Sequence, residues 1–244
     1  MTAKHEPLVA ACLLASFPGH TAPDWIRRRI ERGLGGVVLF AGNVRDREQL
    51  AELTAVLRGD GEDVVVAIDE EGGDVTRLEA ERGSSYPGNR ALGVVDDVGL
   101  TERVAAALGG DLADVGVNLD LAPVADLASD PASPIVGVRS FGADPEHVAR
   151  HVGAFVRGLQ CAGVAACAKH LPGHGGTALD SHVELPTVDK PAAELLAEDV
   201  LPFRAAIDAG VRAVMTGHLR VPALDVAPAV TVSRSILTDF LRGV

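Results

Sequence analysis

Positive charge is scarce in this 244-residue chain. Acidic residues number 34 against 22 basic ones, giving a formal net charge of -12 and an isoelectric point near 5.0. The longest basic run is Arg27-Arg28-Arg29. Such a surface excludes non-specific binding to nucleic acid. Cysteine is scarce too: Cys12, Cys161 and Cys167 make an odd set with no C-x-x-C spacing. That excludes a disulfide framework and predicts buried free thiols in a reducing, cytoplasmic compartment. No apolar run approaches the roughly eighteen residues of a transmembrane helix. The N-terminal "MTAKHEPLVAACLLASF" has a short apolar run whose start Pro7 interrupts, so it is expected to be a first strand rather than an export signal. Lysine is the rarest cation, with Lys4, Lys169 and Lys190 against 19 arginines.

What is present is a repeating unit. In "ERGLGGVVLFAGN", "LADVGVNLDLAPVAD", "LQCAGVAACAKHLPGH" and "AIDAGVRAVMTGH", a charged amphipathic segment ends at Gly, and a valine-rich run then ends in polar residues. Glycine can close a helix in a left-handed conformation, and a run apolar on both faces suits a buried parallel strand. The pattern predicts strands near 7–16, 35–41, 63–69, 116–122, 164–169 and 211–217. Helices are predicted at 24–32, 46–58, 98–115, 145–161, 192–209 and 233–242. Asp144-Pro145 and Ser233 supply helix starts. Six β/α units can form an open doubly wound sheet or part of a barrel. Polar residues follow many different strands (Asn43, Asp69, Asp126, His170, His174 and His218), which favours a barrel mouth. The fold class is therefore α/β, a TIM-type (β/α)8 barrel, incomplete, with about six units in one domain over 1–244.

The stretch "KHLPGHGGTALDSHVELP", from Lys169 to Pro186, concentrates titratable groups. As metal ligands, His170, His174, Asp180 and His182 match no structural zinc spacing, and Pro172 and Gly173 oppose the helix that an i,i+4 pair needs. Acid/base chemistry fits better. Asp180 stands two residues before His182, where a carboxylate can hold one ring nitrogen and set the tautomer of the other. Gly173, Gly175 and Gly176 give the loop freedom to move. In "AIDEEGGDVTRL", Asp69 ends a strand and can accept hydrogen bonds from vicinal hydroxyls of a sugar; Glu70 and Glu71 face outward or pair with Arg77. Lys169 points into the mouth or pairs with a carboxylate such as Asp126. Asn118 and Asp120 are expected to be hydrogen-bonded within the core or to support the site from behind.

Taken together, these segments resemble the β-N-acetylhexosaminidases of glycoside hydrolase family 3. "KHLPGHGGTALDSH" matches the family's identifying K-H-[FIL]-P-G-H-G and D-[ST]-H signature, and "DEEGG", "VTR", "NLDLAPVADL", "RSFGADP" and "MTGH" follow in the family's order. The resemblance implies His182 as the general acid/base and Asp180 as its partner. It also implies Asp69, Arg77, Arg139, Lys169 and His170 as the residues that hold a terminal N-acetylglucosamine. It implies a retaining reaction on a saccharide carrying that sugar, on cell-wall fragments, with no cofactor and no metal.

The chain departs from the pattern in two places. Asp74 stands where better-known relatives carry Arg. The family's nucleophilic Asp follows a seventh strand that would begin just after "TDFLRGV". Asp225 and Asp239 are the carboxylates after His218, and neither follows a valine run. The expectation is a barrel lacking its last two units, with open edges at the first and sixth strands, completed by a missing C-terminal segment or by self-association. Its own turnover should be no more than a trace. A non-catalytic sugar-binding or inert protein is the first alternative. A phosphorylase, using phosphate in place of water, is the second.

Overall fold

The structure, a computed structural model, describes residues 5–61, 63–130, 133, 135–177 and 184–243. Six parallel strands follow one another in a single curled sheet. They are β1 (Leu14–Ala15), β2 (Gly36–Leu39), β3 (Val65–Ile68), β4 (Leu119–Asp120), β5 (Ala165–Leu171) and β6 (Ala213–Thr216). The helices are α1 (Glu6–Ala11), α2 (Asp24–Ile30), α3 (Arg47–Gly59), α4 (Asn89–Val95), α5 (Val98–Asp114), α6 (Pro145–Cys161), α7 (Ala192–Ala197) and α8 (Leu201–Asp208).

The repeating unit is realised in backbone angles. Gly33, Gly116, Gly163 and Gly210, which separate a helix from the strand after it, have φ of 92°, 76°, 87° and 79°. A side chain in that region would strain against the following carbonyl, so glycine marks each return to the sheet. The helix starts are equally local. Asp46 accepts from the backbone N–H of Gln49 at 2.8 Å, Asp97 from that of Leu100 at 2.9 Å and Asp144 from that of His147 at 2.7 Å. Each satisfies one of the free donors of a first turn. Ser233, expected as the cap of the last helix, accepts from Ile236 N–H at 3.1 Å, but the N-cap position itself falls on Arg234.

Apolar faces then decide the packing. α3 buries Leu50, Leu53 and Leu57, α5 buries Ala105, Leu108 and Leu112, and α6 buries Val148, Val152, Phe155 and Leu159. These i, i+3, i+4 and i+7 stripes meet the outer face of the sheet. The concave face holds a smaller cluster of Ala67, Leu121 and Cys167, flanked by half-buried Val38, Val65, Leu119, Ala213 and Met215. β6 is half-buried along its length, and Leu13 and Leu14 at the β1 edge are exposed.

Several expectations need correction. Residues 7–16 are not one strand: Pro7 sits in the first turn of α1, where its missing N–H costs nothing, and only Leu14–Ala15 pairs with β2. The helix expected over 192–209 is two, because Pro202 opens the first turn of α8 after a break at Glu198–Val200. Residues Ser235–Phe240 wind as a π-helix and Leu241–Gly243 as a 3₁₀ turn. α4 has no counterpart among the expected elements. The thiols are free but not all buried: Cys12 and Cys161 are exposed, and Cys167 alone lies inside. Among the described residues no helix is long and apolar enough to cross a membrane.

α5 and α6 approach closely at Gly158, where an added Cβ would lie 2.1 Å from the Glu102 carbonyl oxygen. Backbone cannot yield as a side-chain tip would. Gly158→Ala should therefore lower the unfolding free energy by about 1–3 kcal/mol in urea denaturation despite alanine's better helix propensity. A stability equal to or above the parent's would show that these helices can separate without cost.

Candidate active site

The carboxyl ends of β2, β3, β5 and β6 open into a cleft of about 470 Å³. It is lined by Asp69, Glu71, Arg77, Arg139, Lys169, His170, His174 and His218, together with apolar walls from Val38, Phe40, Leu121 and Met215. All five residues expected to bind sugar (Asp69, Arg77, Arg139, Lys169 and His170) thus share one cleft. Asp180 and His182 lie outside the described residues.

At the floor is a buried ammonium. Lys169, at the end of β5, places Nζ 2.7 Å from Asp69 Oδ1 and 2.6 Å from Glu71 Oε1. Glu71 also takes a fork from Arg139, with Nε and Nη2 donating at 2.9 and 2.7 Å. Arg77 stands 3.6 Å from Asp69 Oδ2. Burial by itself would raise the Glu71 carboxyl, but the Lys169 charge and the Arg139 hydrogen bonds outweigh it and hold the pKa below the ordinary value. Lys169 is pulled the other way: burial lowers it, and Glu71 and Asp69 more than offset that, keeping it charged. The result is a fixed set of donors and acceptors of opposite sign at one wall.

Asp126, in the loop after β4, orients His170 and the chain that follows it. Its Oδ2 lies 2.7 Å from His170 Nδ1, and its Oδ1 accepts the backbone N–H of His174 at 2.7 Å and of His170 at 3.2 Å. Although burial raises this carboxyl, the His170 charge and these hydrogen bonds hold its pKa down. An ionised carboxylate only accepts, so His170 Nδ1 carries the proton and the ring presents Nε2 as its remaining polar atom. The suggested Lys169–Asp126 pair is therefore not formed. Asp126 is filled by His170 and two backbone donors, and Lys169 goes to Asp69 and Glu71. His174 is buried, meets His170 edge to face at 5.8 Å, and has no hydrogen-bond partner for either ring nitrogen among the described residues.

Other polar residues brace the site. Glu70 and Glu71 do not face outward; both are buried. Glu70 accepts the backbone N–H groups of Arg77 and Leu78 at 2.8 and 3.0 Å, fixing the turn that presents Arg77. Asn118 bridges to β3 through Val66 N–H and Val64 C=O. Asn43 ties Phe17 and Gly19 together and does not line the cleft. His218 Nδ1 lies 2.7 Å from Thr231 Oγ1 at the rim. Asp225 is held by the hydroxyls of Ser233 and Ser235 at 2.7 and 2.8 Å and is not part of the cleft. Glu71 is the cleft residue that the sequence pattern did not single out, and its signal was the shortage of lysine: a lone buried ammonium between two strand ends calls for more than one carboxylate.

The whole span of residues 18–243 matches the model of the glycosyl hydrolase family 3 N-terminal domain. The chain is 36% identical to a β-hexosaminidase A of Pseudoalteromonas piscicida, over 91% of its own length and 41% of the relative's. It is 37% identical to a β-hexosaminidase of Bordetella avium, over 95% of its length and 68% of the relative's. A family 3 β-N-acetylglucosaminidase from a Paenibacillus species superposes with a TM-score of 0.93 at 40% identity, covering 100% of this chain and 47% of that one. NagZ from Neisseria gonorrhoeae, solved in complex with N-trifluoroacetyl-D-glucosamine, gives 0.86 at 32% identity, covering 94% and 68%. The chain thus spans between two fifths and two thirds of the length of these relatives.

Asp120 offers a test of the electrostatics beneath the cleft. It is fully buried, Oδ1 accepts Glu70 N–H at 3.0 Å, and Oδ2 has no partner among the described residues. Burial raises its pKa well above the ordinary value. A raised acid favours folding at low pH, and that contribution is lost as pH climbs from the unfolded value, near 4, toward the folded one. Asp120→Asn keeps the acceptor and removes the titration. It should unfold no earlier than the parent at pH 8, and it should lose less stability than the parent between pH 5 and pH 8. A variant much weaker than the parent at pH 8 would mean that the ionised form is favoured.

Proposed function

The chain belongs to glycosyl hydrolase family 3, and on that premise we propose that it forms the first six β/α units of a (β/α)8 glycosidase barrel binding a terminal β-linked N-acetylglucosamine. The observation that carries this reading is the convergence of Asp69, Arg77, Arg139, Lys169 and His170 on one cleft at the strand carboxyl ends. A pyranose offers adjacent hydroxyls, each both donor and acceptor. Asp69 can accept from two of them, while Lys169, Arg77 and Arg139 donate to sugar oxygens. Donors and acceptors fixed by ion pairs before the sugar arrives need little reorganisation on binding.

In the proposed chemistry His182 protonates the leaving oxygen and Asp180 holds its ring, with the glycine-bearing loop after β5 delivering the pair. An imidazole becomes neutral on giving up its proton, so it does not repel an anionic acceptor at the second step. Retention also requires a carboxylate nucleophile on the far face of the anomeric carbon. Among the described residues the carboxylates lining the cleft are Asp69 and Glu71, and Lys169 already engages both. This favours sugar binding with only trace turnover by the 244 residues themselves; the proposed ligand is a cell-wall saccharide in the cytoplasm.

Calorimetry with N-acetylglucosamine and hydrolysis of an aryl N-acetyl-β-glucosaminide test both halves. Binding should be measurable and fall more than about tenfold in Asp69→Ala, the loss expected for hydrogen bonds to a charged group. Residual hydrolysis should disappear in His182→Ala. Rates matching a complete family enzyme that are untouched by His182→Ala would overturn the acid/base assignment. A sugar 1-phosphate formed only with phosphate would identify a phosphorylase.

A further inference from the structure

Away from the cleft, α4 and α6 bring together three ligand-type side chains that the proposed reaction does not use. His147 and His151, one turn apart on α6, share a face. Asp96 ends α4 with φ of 52°, the one non-glycine among the described residues with a positive φ. Its Oδ1 lies 3.4 Å from His147 Nδ1 and 3.2 Å from His151 Nε2, and one ligand atom from each residue falls within 4.8 Å of the others. Donors bound tetrahedrally at zinc's bond lengths of about 2.0–2.1 Å stand about 3.3 Å apart. Two edges of the triangle already have that length.

The surroundings fit a metal ligand set. His151 is fully buried, and its Nδ1 lies 2.8 Å from Thr101 Oγ1, which itself lies 3.4 Å from the Asp97 carbonyl oxygen. Without a metal the ionised Asp96 accepts the Nε2–H of His151 at 3.2 Å; a metal ion taking that proton's place would leave Nδ1–H to be donated to Thr101. Arg150 is a competing cation, its Nη2 lying 3.2 Å from Asp96 Oδ1 and 3.4 Å from His147 Nδ1. Its side chain is 53% exposed and free to swing out. Solvent has access past Asp96 to complete the coordination. Two imidazoles and a carboxylate suit zinc and its neighbours, whereas magnesium and calcium prefer all-oxygen sets.

We propose that Asp96, His147 and His151 form a binding site for zinc or a related divalent transition ion, clamping α4 to α6. The clamp bears on the cleft through the segment it encloses. Phe141 stacks on His151 with ring centroids 5.3 Å apart, and Asn89 of α4 donates to the Arg139 carbonyl at 2.7 Å. The metal would thus steady the stretch that presents Arg139.

Titration of the 244-residue protein with zinc chloride, by calorimetry and thermal melting, provides the test. Histidines of the cleft region can take zinc as well, so the reading is the difference between parent and variants. Asp96→Gly removes a ligand while suiting the left-handed backbone, so the fold is kept. It and His147→Ala should each lose one zinc equivalent and the accompanying rise in Tm. Thr101→Val should weaken that equivalent by about 10- to 100-fold. Arg150→Gln should tighten it by removing the competing cation. The same stoichiometry and affinity in parent and Asp96→Gly would overturn the proposal, as would a parent that binds no zinc. Magnesium chloride competing equally for the site would overturn the assigned metal class.

Discussion

The arrangement at the strand ends depends on one buried charge. Lys169 is 1% exposed and sits within hydrogen-bonding distance of two carboxylates that follow a different strand. An ammonium removed from water is costly unless it is paired, and two unpaired carboxylates in its place would repel each other. So the lysine, Asp69 and Glu71 stand or fall as a set. Arg139 joins through Glu71 and Arg77 through Asp69, which links the turn after β3, the loop after β4 and the end of β5. The sheet supplies the spacing, and the ion network fixes the orientation of the side chains that project from it.

Asp126 is the neutral-backbone counterpart of that network. By taking two backbone N–H groups and one imidazole, it fixes the start of the loop that follows β5 as well as the tautomer of His170. Gly175 continues the constraint, since a Cβ there would lie 1.6 Å from the Leu127 carbonyl oxygen. His170, His174 and Gly175 are therefore held by contacts to Asp126 and Leu127. Asp69 and Glu71 thus balance charge, while Asp126 shapes the chain.

Much of this was legible in the sequence because the signals are local. The recurring glycine between helix and strand, the capping aspartates and the valine runs each report on a few neighbouring residues, and β2 to β6 lie within their expected ranges or overlap them. Lys169 and His170 of the signature, with Asp69, Arg77 and Arg139, line one cleft. What failed needed partners distant in sequence. Pairing, not propensity, decides that residues 7–11 coil into a helix while Leu14–Ala15 joins the sheet. Lys169 chose Asp69 and Glu71 over Asp126 because backbone donors had already occupied Asp126, which no spacing rule reveals. Glu71 read as a surface acid because three consecutive acidic residues suggest solvent until a buried lysine and arginine are brought against them.

The thiols acquire a use from their placement. Cys12 and Cys161 are open to solvent, while Cys167 lies in the concave face of the sheet with its pKa pushed up by burial to about 12. Thiolate is the reactive form, so the native protein offers an alkylating reagent two groups and withholds the third. Modification of Cys167 then waits on the parting of β5 from its neighbours. The chain carries within β5 its own clock for how often the floor beneath Lys169 opens.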